Sequence, residues 1–249
     1  MKYKLFLLLI MFSLLLLTGC KINIEFNGIR YGNASEYSVL DEKEIEGLNE
    51  VTRVEINWVS GSITINNSEE ANIKEENSGN YPLYYRIKDG KLTIQFCENE
   101  TKNKDIKNLK KDLTISLNTN KYDIEINNVS SSLDVLLSDV NKFNLDNVSG
   151  SGIIALENSN DIIINNVSGN LDLKVNNTNE LKTIDIDNVS GNFNIYLNNE
   201  SKLIIDFDSV NGKLHNDILY LEGTHFIYVD IDTVSGSFYI KKINSDNEE

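Results

Sequence analysis

Apolar and polar residues alternate along most of this 249-residue chain, and a short turn signature interrupts the alternation at regular intervals. The signature reads Val-Ser-Gly or a close variant of it. Its copies end at Gly61, Ser131, Gly150, Gly169, Gly191, Gly212 and Gly236. From the second copy onward the copies follow one another after 19 to 24 residues, which is a spacing typical of a repeat protein.

The residues before each turn predict strands. Five residues before the turn end, every copy carries an apolar residue: Ile56, Ile126, Leu145, Ile164, Ile186, Phe207 and Ile231. A second apolar residue recurs two positions earlier, and polar residues lie between them, so each strand has one buried face and one solvated face. A unit of about twenty residues cannot bury its own apolar face. We therefore predict an all-β fold, a β-solenoid similar to a parallel β-helix, in which repeats of 19–24 residues stack in sequence order.

The chain divides into five segments. Residues 1–19 form a lipoprotein-type signal peptide, 20–50 a lipid-anchored tether, 51–120 an irregular first part of the β domain, 121–240 the regular strand repeats and 241–249 a charged tail. In the irregular part, Asp89-Gly90 predicts a type I′ hairpin turn between strands at 83–88 and 91–96. Residues 102–111 are compatible with a helix or a loop, and no long helix is predicted.

The N-terminus has the features of a secretory signal. Lys2 and Lys4 precede an apolar run at residues 5–17, which is too short for a permanent membrane span. Residues 17–20, Leu-Thr-Gly-Cys, match the lipobox of bacterial lipoproteins. The match implies cleavage between Gly19 and Cys20 and lipidation of Cys20, which would place the protein outside the cytoplasm and anchor it to the bacterial cell membrane. An ordinary signal peptide followed by an incidental cysteine is the alternative.

The charge of the chain limits its partners. The formal net charge is −15, and removal of residues 1–19, which hold two lysines and no acidic residue, leaves −17. Such an acidic surface repels nucleic acids, so we expect no nucleic-acid partner. Once Cys20 is lipidated, Cys97 has no cysteine with which to form a disulfide, and we expect it to pack as a small apolar residue.

The order of the strand motifs resembles a known family. Val54-Glu55-Ile56 and residues 61–65 are followed by residues 89–94, 113–117 and 124–130. Over residues 51–240 this order is similar to the bacterial β-strand-repeat domain labelled a putative adhesin, which is found on lipoproteins and other membrane-anchored surface proteins. The chain departs from that family at Asn118, where proline is frequent. The resemblance implies a cell-surface, adhesin-like binding module.

Two other functions remain open alongside adhesion. Some members of the family resemble an accessory protein encoded beside cell-envelope stress-response systems, which implies contact with a membrane sensor. A purely structural role in the envelope is the third. Aromatic residues exposed on one outer face would favour binding of a surface protein or a glycan. The candidates are Trp58, Tyr196, Tyr220, Tyr228 and Tyr239.

Two columns of polar residues accompany the turns. Asp146, Asp187, Asp208 and Asp232 stand four residues before the turn end. These carboxylates are candidates for a calcium site, and a solvated acidic face is the alternative. Asn128, Asn147, Asn166 and Asn188 stand one residue later, and stacking predicts that their amides hydrogen-bond to one another.

No pattern in the sequence predicts catalysis. His215 and His225 are the only histidines, and their spacing does not resemble that of metal ligands. The serines recur at turns, where serine is common, and no Gly-x-Ser-x-Gly motif is present. We therefore expect no enzymatic activity, no catalytic residue and no cofactor.

Metabolic labelling with palmitate tests the anchor. The wild-type protein should incorporate the label and fractionate with membranes, whereas Cys20→Ala should lose both properties because the sulfur that carries the lipid is gone. Membrane association that survives in Cys20→Ala would contradict the anchor.

Overall fold

The protein is all-β, as the alternation predicts. A computed structural model describes residues 23–25, 28–40, 45–106, 108–118, 121–198, 202–218 and 225–243. The signal peptide and Cys20 lie outside these residues. In the described part of the chain, regular structure consists of strands, two short 3₁₀ turns and one four-residue α-helix, and no helix is long and apolar enough to cross a membrane.

The described part of the chain forms fifteen strands. The early strands are β1 (Asn23–Glu25), β2 (Gly28–Arg30), β3 (Ser38–Val39), β4 (Arg53–Asn67), β5 (Asn72–Glu76), β6 (Tyr84–Lys88), β7 (Lys91–Gln95) and β8 (Lys111–Leu117). The later strands are β9 (Tyr122–Asn147), β10 (Gly152–Asn166), β11 (Leu171–Asn177), β12 (Thr183–Asn188), β13 (Phe193–Leu197), β14 (Lys202–Asn216) and β15 (Phe226–Lys242). The helix α1 (Asn103–Ile106) occupies part of the segment that was compatible with a helix or a loop.

The strands pair in parallel and in register as a series of layers, each with a first arm before the turn and a second arm after it. Layer 1 is β7 with β8, layer 2 is β4, and layer 3 is residues 122–137 of β9. Layer 4 is residues 138–147 of β9 with 152–158 of β10, and layer 5 is residues 159–166 of β10 with β11. Layer 6 is β12 with β13, layer 7 is β15, and layer 8 is β14.

The last two layers do not follow sequence order, so the prediction of strictly successive stacking is wrong at this end. β15 lies between layer 6 and β14, although β14 precedes it in the chain. The inward residues of the first arms are apolar in both strands, but the second arms differ: β15 has Phe238 and Ile240 where β14 has Leu214 and Asn216. The ring of Phe238 stacks on that of Phe193, with centroids 5.1 Å apart and planes at 5°. The more apolar strand thus takes the interior layer.

The apolar columns predicted around the turns form the core. Ile186 in layer 6 has Ile164 and Ile231 as register neighbours, and all three are fully buried. Phe207, the expected neighbour of Ile186, is one layer further out and only partly buried. The inward assignment is therefore confirmed, and only the order of the last two members changes.

The N-terminal end of the stack is closed by antiparallel strands. The predicted hairpin is present: β6 pairs with β7, and Asp89 and Gly90 both have the positive φ angles, 51° and 69°, of a type I′ turn. β5 pairs antiparallel with β8. Cys97 is fully buried beside this end, and burial raises the pKa of its thiol.

A buried ion pair lies at the same end. Lys111 is completely inaccessible, and its ammonium contacts a carboxylate oxygen of Glu75 and donates a hydrogen bond to the Tyr81 carbonyl at 2.9 Å. Desolvation lowers the pKa of Lys111, and the Glu75 carboxylate opposes that shift. The cation also lies 5.0 Å from the centre of the Trp58 ring. Because several groups satisfy the charge, the first layers can bury it.

The asparagine column forms the predicted ladder. The amide nitrogen of Asn128 donates to Asn147 Oδ1 at 2.9 Å, that of Asn147 to Asn166 at 2.7 Å, and that of Asn166 to Asn188 at 2.8 Å. The amide of Asn188 continues the ladder to Thr233 Oγ1 at 3.0 Å. All of these side chains are buried, so the ladder runs through the interior of the turns from layer 3 to layer 7.

Glycine at the turn end permits the layers to approach closely. Gly191 has φ of 140°, and a Cβ placed on it would lie 2.1 Å from the Gly169 carbonyl oxygen of the layer below. A side chain there would push the two layers apart. The recurring glycine thus has a steric origin in the stacking.

The two leucine substitutions Asn147→Leu and Asn144→Leu, three residues apart on β9, test the ladder. In Asn147→Leu the Asn128 amide and the Gly150 backbone lose buried partners, which should lower the free energy of unfolding by about 3 kcal/mol or more. Asn144 points outward and its Oδ1 is buried without a partner, so Asn144→Leu should change stability little or increase it. Urea denaturation compares the two, and equal losses would contradict the ladder as a stabilising element.

Candidate binding surface

The outward side chains of the layers form two separate faces. Residues that alternate with the core in the first arms form the first-arm face, and those of the second arms form the second-arm face. In-register parallel pairing places the same position of each layer in one row across a face. The chemistry of each row can therefore be followed layer by layer.

The first-arm face is acidic over layers 6 to 8. Asp185 pairs in register with Asp230 and then Asp206, and Asp187 with Asp232 and then Asp208. We call these six residues the aspartate grid. Because β15 is the interior strand, Asp187 has Asp232 rather than Asp208 as its register neighbour. Opposed like charges repel across strands.

Repulsion and burial change the acidity of the grid. Desolvation, followed by the charges of Asp185, Asp232 and Asp230, raises the pKa of Asp187 from 3.8 to about 6. The pKa of Asp185 is also raised, first by burial and then by Asp230. Ionisation of Asp187 near neutral pH therefore opposes folding.

The predicted calcium column is only partly brought together. Asp187, Asp232 and Asp208 occupy adjacent layers, but Asp146 lies two layers from Asp187. Asn165 stands between them and donates a hydrogen bond to Asp146 Oδ1 at 2.7 Å. Burial raises the pKa of Asp146. Among the described residues, no three His, Cys, Asp or Glu side chains are arranged as metal ligands.

The second-arm face carries aromatic and cationic side chains over layers 5 to 8. Lys174, Tyr196 and Lys241 form one row, and the two ammonium groups lie 5.7 and 5.5 Å from the centre of the Tyr196 ring. In the adjacent row, the imidazole of His215 stacks on the Tyr239 ring at 4.8 Å with an interplanar angle of 8°. We call these five residues the aromatic–lysine surface.

Hydrogen bonds and cation–π contacts hold this surface in place. Lys241 Nζ lies 5.0 Å from the centre of the Tyr239 ring and donates to Asn194 Oδ1 at 3.0 Å. Asn194 in turn donates to Asp172 Oδ1 at 2.7 Å. The row of Lys174 continues through Ala155 to Leu136, which is 60% exposed. Aromatic, cationic and apolar groups thus adjoin on one face, a combination common at recognition sites.

The predicted aromatic candidates do not all lie on one face of the structure. Tyr196 and Tyr239 share the second-arm face, whereas Tyr228 is exposed on the first-arm face. Trp58 is wrong as a surface candidate, because it is fully buried and its indole nitrogen donates to the Lys111 carbonyl at 3.3 Å. Tyr220 lies outside the described residues.

Sequence reasoning missed the cationic members of the surface, although a signal for them exists. Lys174, Tyr196 and Lys241 each stand five residues after the end of their turns, and Tyr239 and His215 stand three residues after theirs. Alignment on the turns therefore gives both rows. The contact between Lys241 and Tyr196 could not be found in this way, because it depends on β15 lying next to β13.

The acidity of Asp187 generates a pH-dependent prediction. Since its native pKa lies above 3.8, the penalty for ionising it is present above pH 6, declines as the pH falls through 6, and is absent below about 4. Asp187→Asn should therefore raise the free energy of unfolding at pH 7.5 by about 1 kcal/mol, a value reduced for solvent screening, and should change it little at pH 4. Thermal melts at both pH values measure this, and an equal effect at both would contradict the shifted pKa.

One solved structure supports the type of fold. The chain resembles a putative cell adhesion protein from Clostridium sporogenes, whose crystal structure it matches with a TM-score of 0.50 at 16% identity, over 84% of this chain and 98% of that one. A putative adhesin from Bacteroides fragilis matches with a TM-score of 0.31 at 12% identity, over 79% and 94% of the two chains. A putative lipid binding protein from Parabacteroides distasonis has the same TM-score and identity, over 84% and 96%.

The family assignment comes from the sequence as a whole. No functionally characterised protein is significantly similar to the chain. Residues 49–241 match a family model described as Toastrack DUF4097, nearly the same range as the strand repeats and the irregular region before them. This protein belongs to the Toastrack DUF4097 family.

Proposed function

We propose that this protein is a lipid-anchored binding module of the bacterial cell surface, and that it recognises its partner without catalysis. The aromatic–lysine surface is the observation that carries the proposal. Tyr196 and Tyr239 are partly exposed beside Lys174 and Lys241 on a chain whose net charge is −15. Cations are concentrated there while the aspartate grid occupies the other face.

The proposed framework for this surface is a β-solenoid. Parallel, in-register pairing over consecutive layers and a single continuous apolar core support it. A stack of this kind holds outward side chains at fixed separations of about 4.8 Å, which suits recognition of an extended, repetitive partner. The rigidity of the framework lowers the entropic cost of binding.

We further propose that the partner is an anionic glycan. The partly exposed tyrosine side chains provide apolar contact for sugar rings, while their hydroxyl groups can hydrogen-bond to sugar hydroxyls. Lysine ammonium groups are compact charges that suit carboxylate or phosphate substituents on a glycan. The exposed apolar side chains of Leu136 and Ile153 extend the same face toward layer 3 and enlarge the contact area.

The proposed anchor lies at the other end of the molecule. The described chain begins at Asn23, shortly after Cys20, and β2 contacts α1, which leads into layer 1. The aromatic–lysine surface spans layers 5 to 8. With the lipid on Cys20, layer 1 would be nearer to the membrane and the binding surface would extend away from it.

Binding to a panel of immobilised neutral and anionic glycans tests the function. The wild-type protein should bind anionic glycans, and the paired substitution Tyr196→Ala with Tyr239→Ala should weaken that binding at least tenfold because both ring faces are lost. Tyr228→Ala is the matched control, since Tyr228 is exposed on the opposite face, and it should bind as the wild type does.

Three results would overturn this proposal. If Tyr228→Ala lost as much glycan binding as the paired tyrosine variant, the second-arm face would not be the binding site. Failure to bind any glycan, together with co-purification of a membrane sensor, would favour the accessory role in envelope stress signalling; failure to bind either would favour a purely structural role.

A further inference from the structure

The outermost strand, β14, has a free edge. It pairs with β15 along 202–216, and no other described strand pairs with it. A strand of 15 residues therefore presents one row of backbone N–H and C=O groups at the end of the stack. Long free edges of this kind are templates for pairing with another chain.

The core also reaches this end without full cover. Ile205 and Phe207 point inward like their register partners Val229 and Ile231, but they are only partly buried, whereas those partners are buried completely or nearly so. Leu214 in the second arm is also partly buried, although its partner Phe238 is inaccessible. At the turn, Val210 is 58% exposed. Both arms would thus gain apolar burial if another layer were added.

The opposite end of the stack excludes head-to-tail growth. The outer edges of layer 1 are already paired, β7 with β6 and β8 with β5. A second molecule cannot add its layer 1 to β14 while these strands are in place. Among the described strands, the free edges that remain at that end are on β3, with two residues, and β5, with five. The edge of a second copy that matches the 15 residues of β14 is therefore its own β14, and pairing of the two requires two-fold symmetry and gives a closed dimer.

We infer that two copies of the protein pair through β14 around a two-fold axis at the turn, between Val210 and Asn211. The axis reverses the strand, so the first arm of one copy lies antiparallel to the second arm of the other. In this register Phe207 lies opposite Leu214 of the second copy, and Ser209 lies opposite Gly212. Each pairing occurs twice in the dimer because of the symmetry.

The side-chain pattern selects this register. Inward residues have odd numbers up to Phe207 and even numbers from Leu214 onward, so the alternation is interrupted at 208–213. With the axis between Val210 and Asn211, the interrupted segments 208–213 of the two copies lie opposite each other. Inward residues of one copy then face inward residues of the other. A shift by one residue would place inward residues opposite outward ones.

Charges on the edge are self-complementary in the same register. Asp208 lies opposite Lys213 of the second copy, and Asp206 lies opposite His215. Lys213 and His215 are exposed in the single chain, so they are accessible to these carboxylates. The aspartate grid, which holds like charges in adjacent layers, would acquire countercharges along its outer row.

The dimer has a consequence for an anchored protein. The two-fold axis reverses the stacking direction, so layer 1 of each copy lies at opposite ends of the pair. If Cys20 is lipidated as proposed above, the two membranes would lie on opposite sides of the dimer. This consequence depends on the anchor, whereas pairing through β14 does not.

Sedimentation equilibrium of the full-length protein in detergent tests the dimer. The wild type should sediment as a dimer in the micromolar range, and Lys213→Asp should raise the dimer dissociation constant at least tenfold, because each reversed charge lies opposite an Asp208 and this repulsive pair occurs twice in the dimer. The double variant Asp208→Lys with Lys213→Asp should restore the wild-type constant within about threefold. Lys104→Glu, exposed on α1, should have no effect.

Cysteine cross-linking checks the register independently of charge. Asp208→Cys and Lys213→Cys chains should form a disulfide when mixed under mild oxidation, and neither should do so alone, because like positions are far apart across the axis. Cys97 is fully buried and does not compete. A wild type that is monomeric at 100 µM, a dimer unaffected by Lys213→Asp, or cross-linking that does not require the mixture would overturn the inference. Glycan binding by a monomer would leave the proposed function intact.

Discussion

The asparagine ladder is the interaction on which the rest of the structure depends. A turn that points into a stacked core carries backbone N–H and C=O groups away from water, and each of these needs a partner. The side chain of Asn147 supplies such partners, because it bonds to both backbone groups of Gly150 within its own turn. It also bonds to the asparagines of the layers on either side. One residue type thus closes the turns of layers 3 to 5 and links each of these layers to the next in a fixed register. The apolar columns and the outward rows can form only when that register holds.

The ends of the stack differ because the ladder ends differently. At the N-terminal end Trp58 takes the asparagine position beside Asn128, and the aromatic ring, Lys111 and Glu75 form a buried cluster under antiparallel strands. At the C-terminal end Thr233 receives the last amide, and no described strand pairs with the outer edge of the final layer, β14. A closed end and an open end on one stack give the molecule a direction.

The two outer faces separate opposite chemistry. Parallel stacking repeats each position at short intervals, so a charged position becomes a row of like charges. On the first-arm face this produces the aspartate grid and the raised pKa of Asp187. On the second-arm face the same repetition alternates Lys174, Tyr196 and Lys241, so that each ammonium group lies near a ring and not near another ammonium group. The framework is equal on both faces, and the residues at a few positions decide which face holds opposed carboxylates and which face holds ammonium groups beside aromatic rings.

The sequence by itself determined the all-β class, the inward columns, the Asp89-Gly90 hairpin, the burial of Cys97 and the asparagine ladder, because each depends on spacing within one repeat or between adjacent repeats. Ile164 and Ile186 are an example, since their positions relative to the turn already place them in one column. Only the tertiary structure decided that β15 lies inside β14, because both copies have the same alternation and differ in how much apolar volume they bury. That choice gave Asp187 the neighbour Asp232 and brought Lys241 to Tyr196. The burial of Trp58 was likewise decided by the pairing of β4 with β8, a contact between segments 53 residues apart that no local pattern encodes.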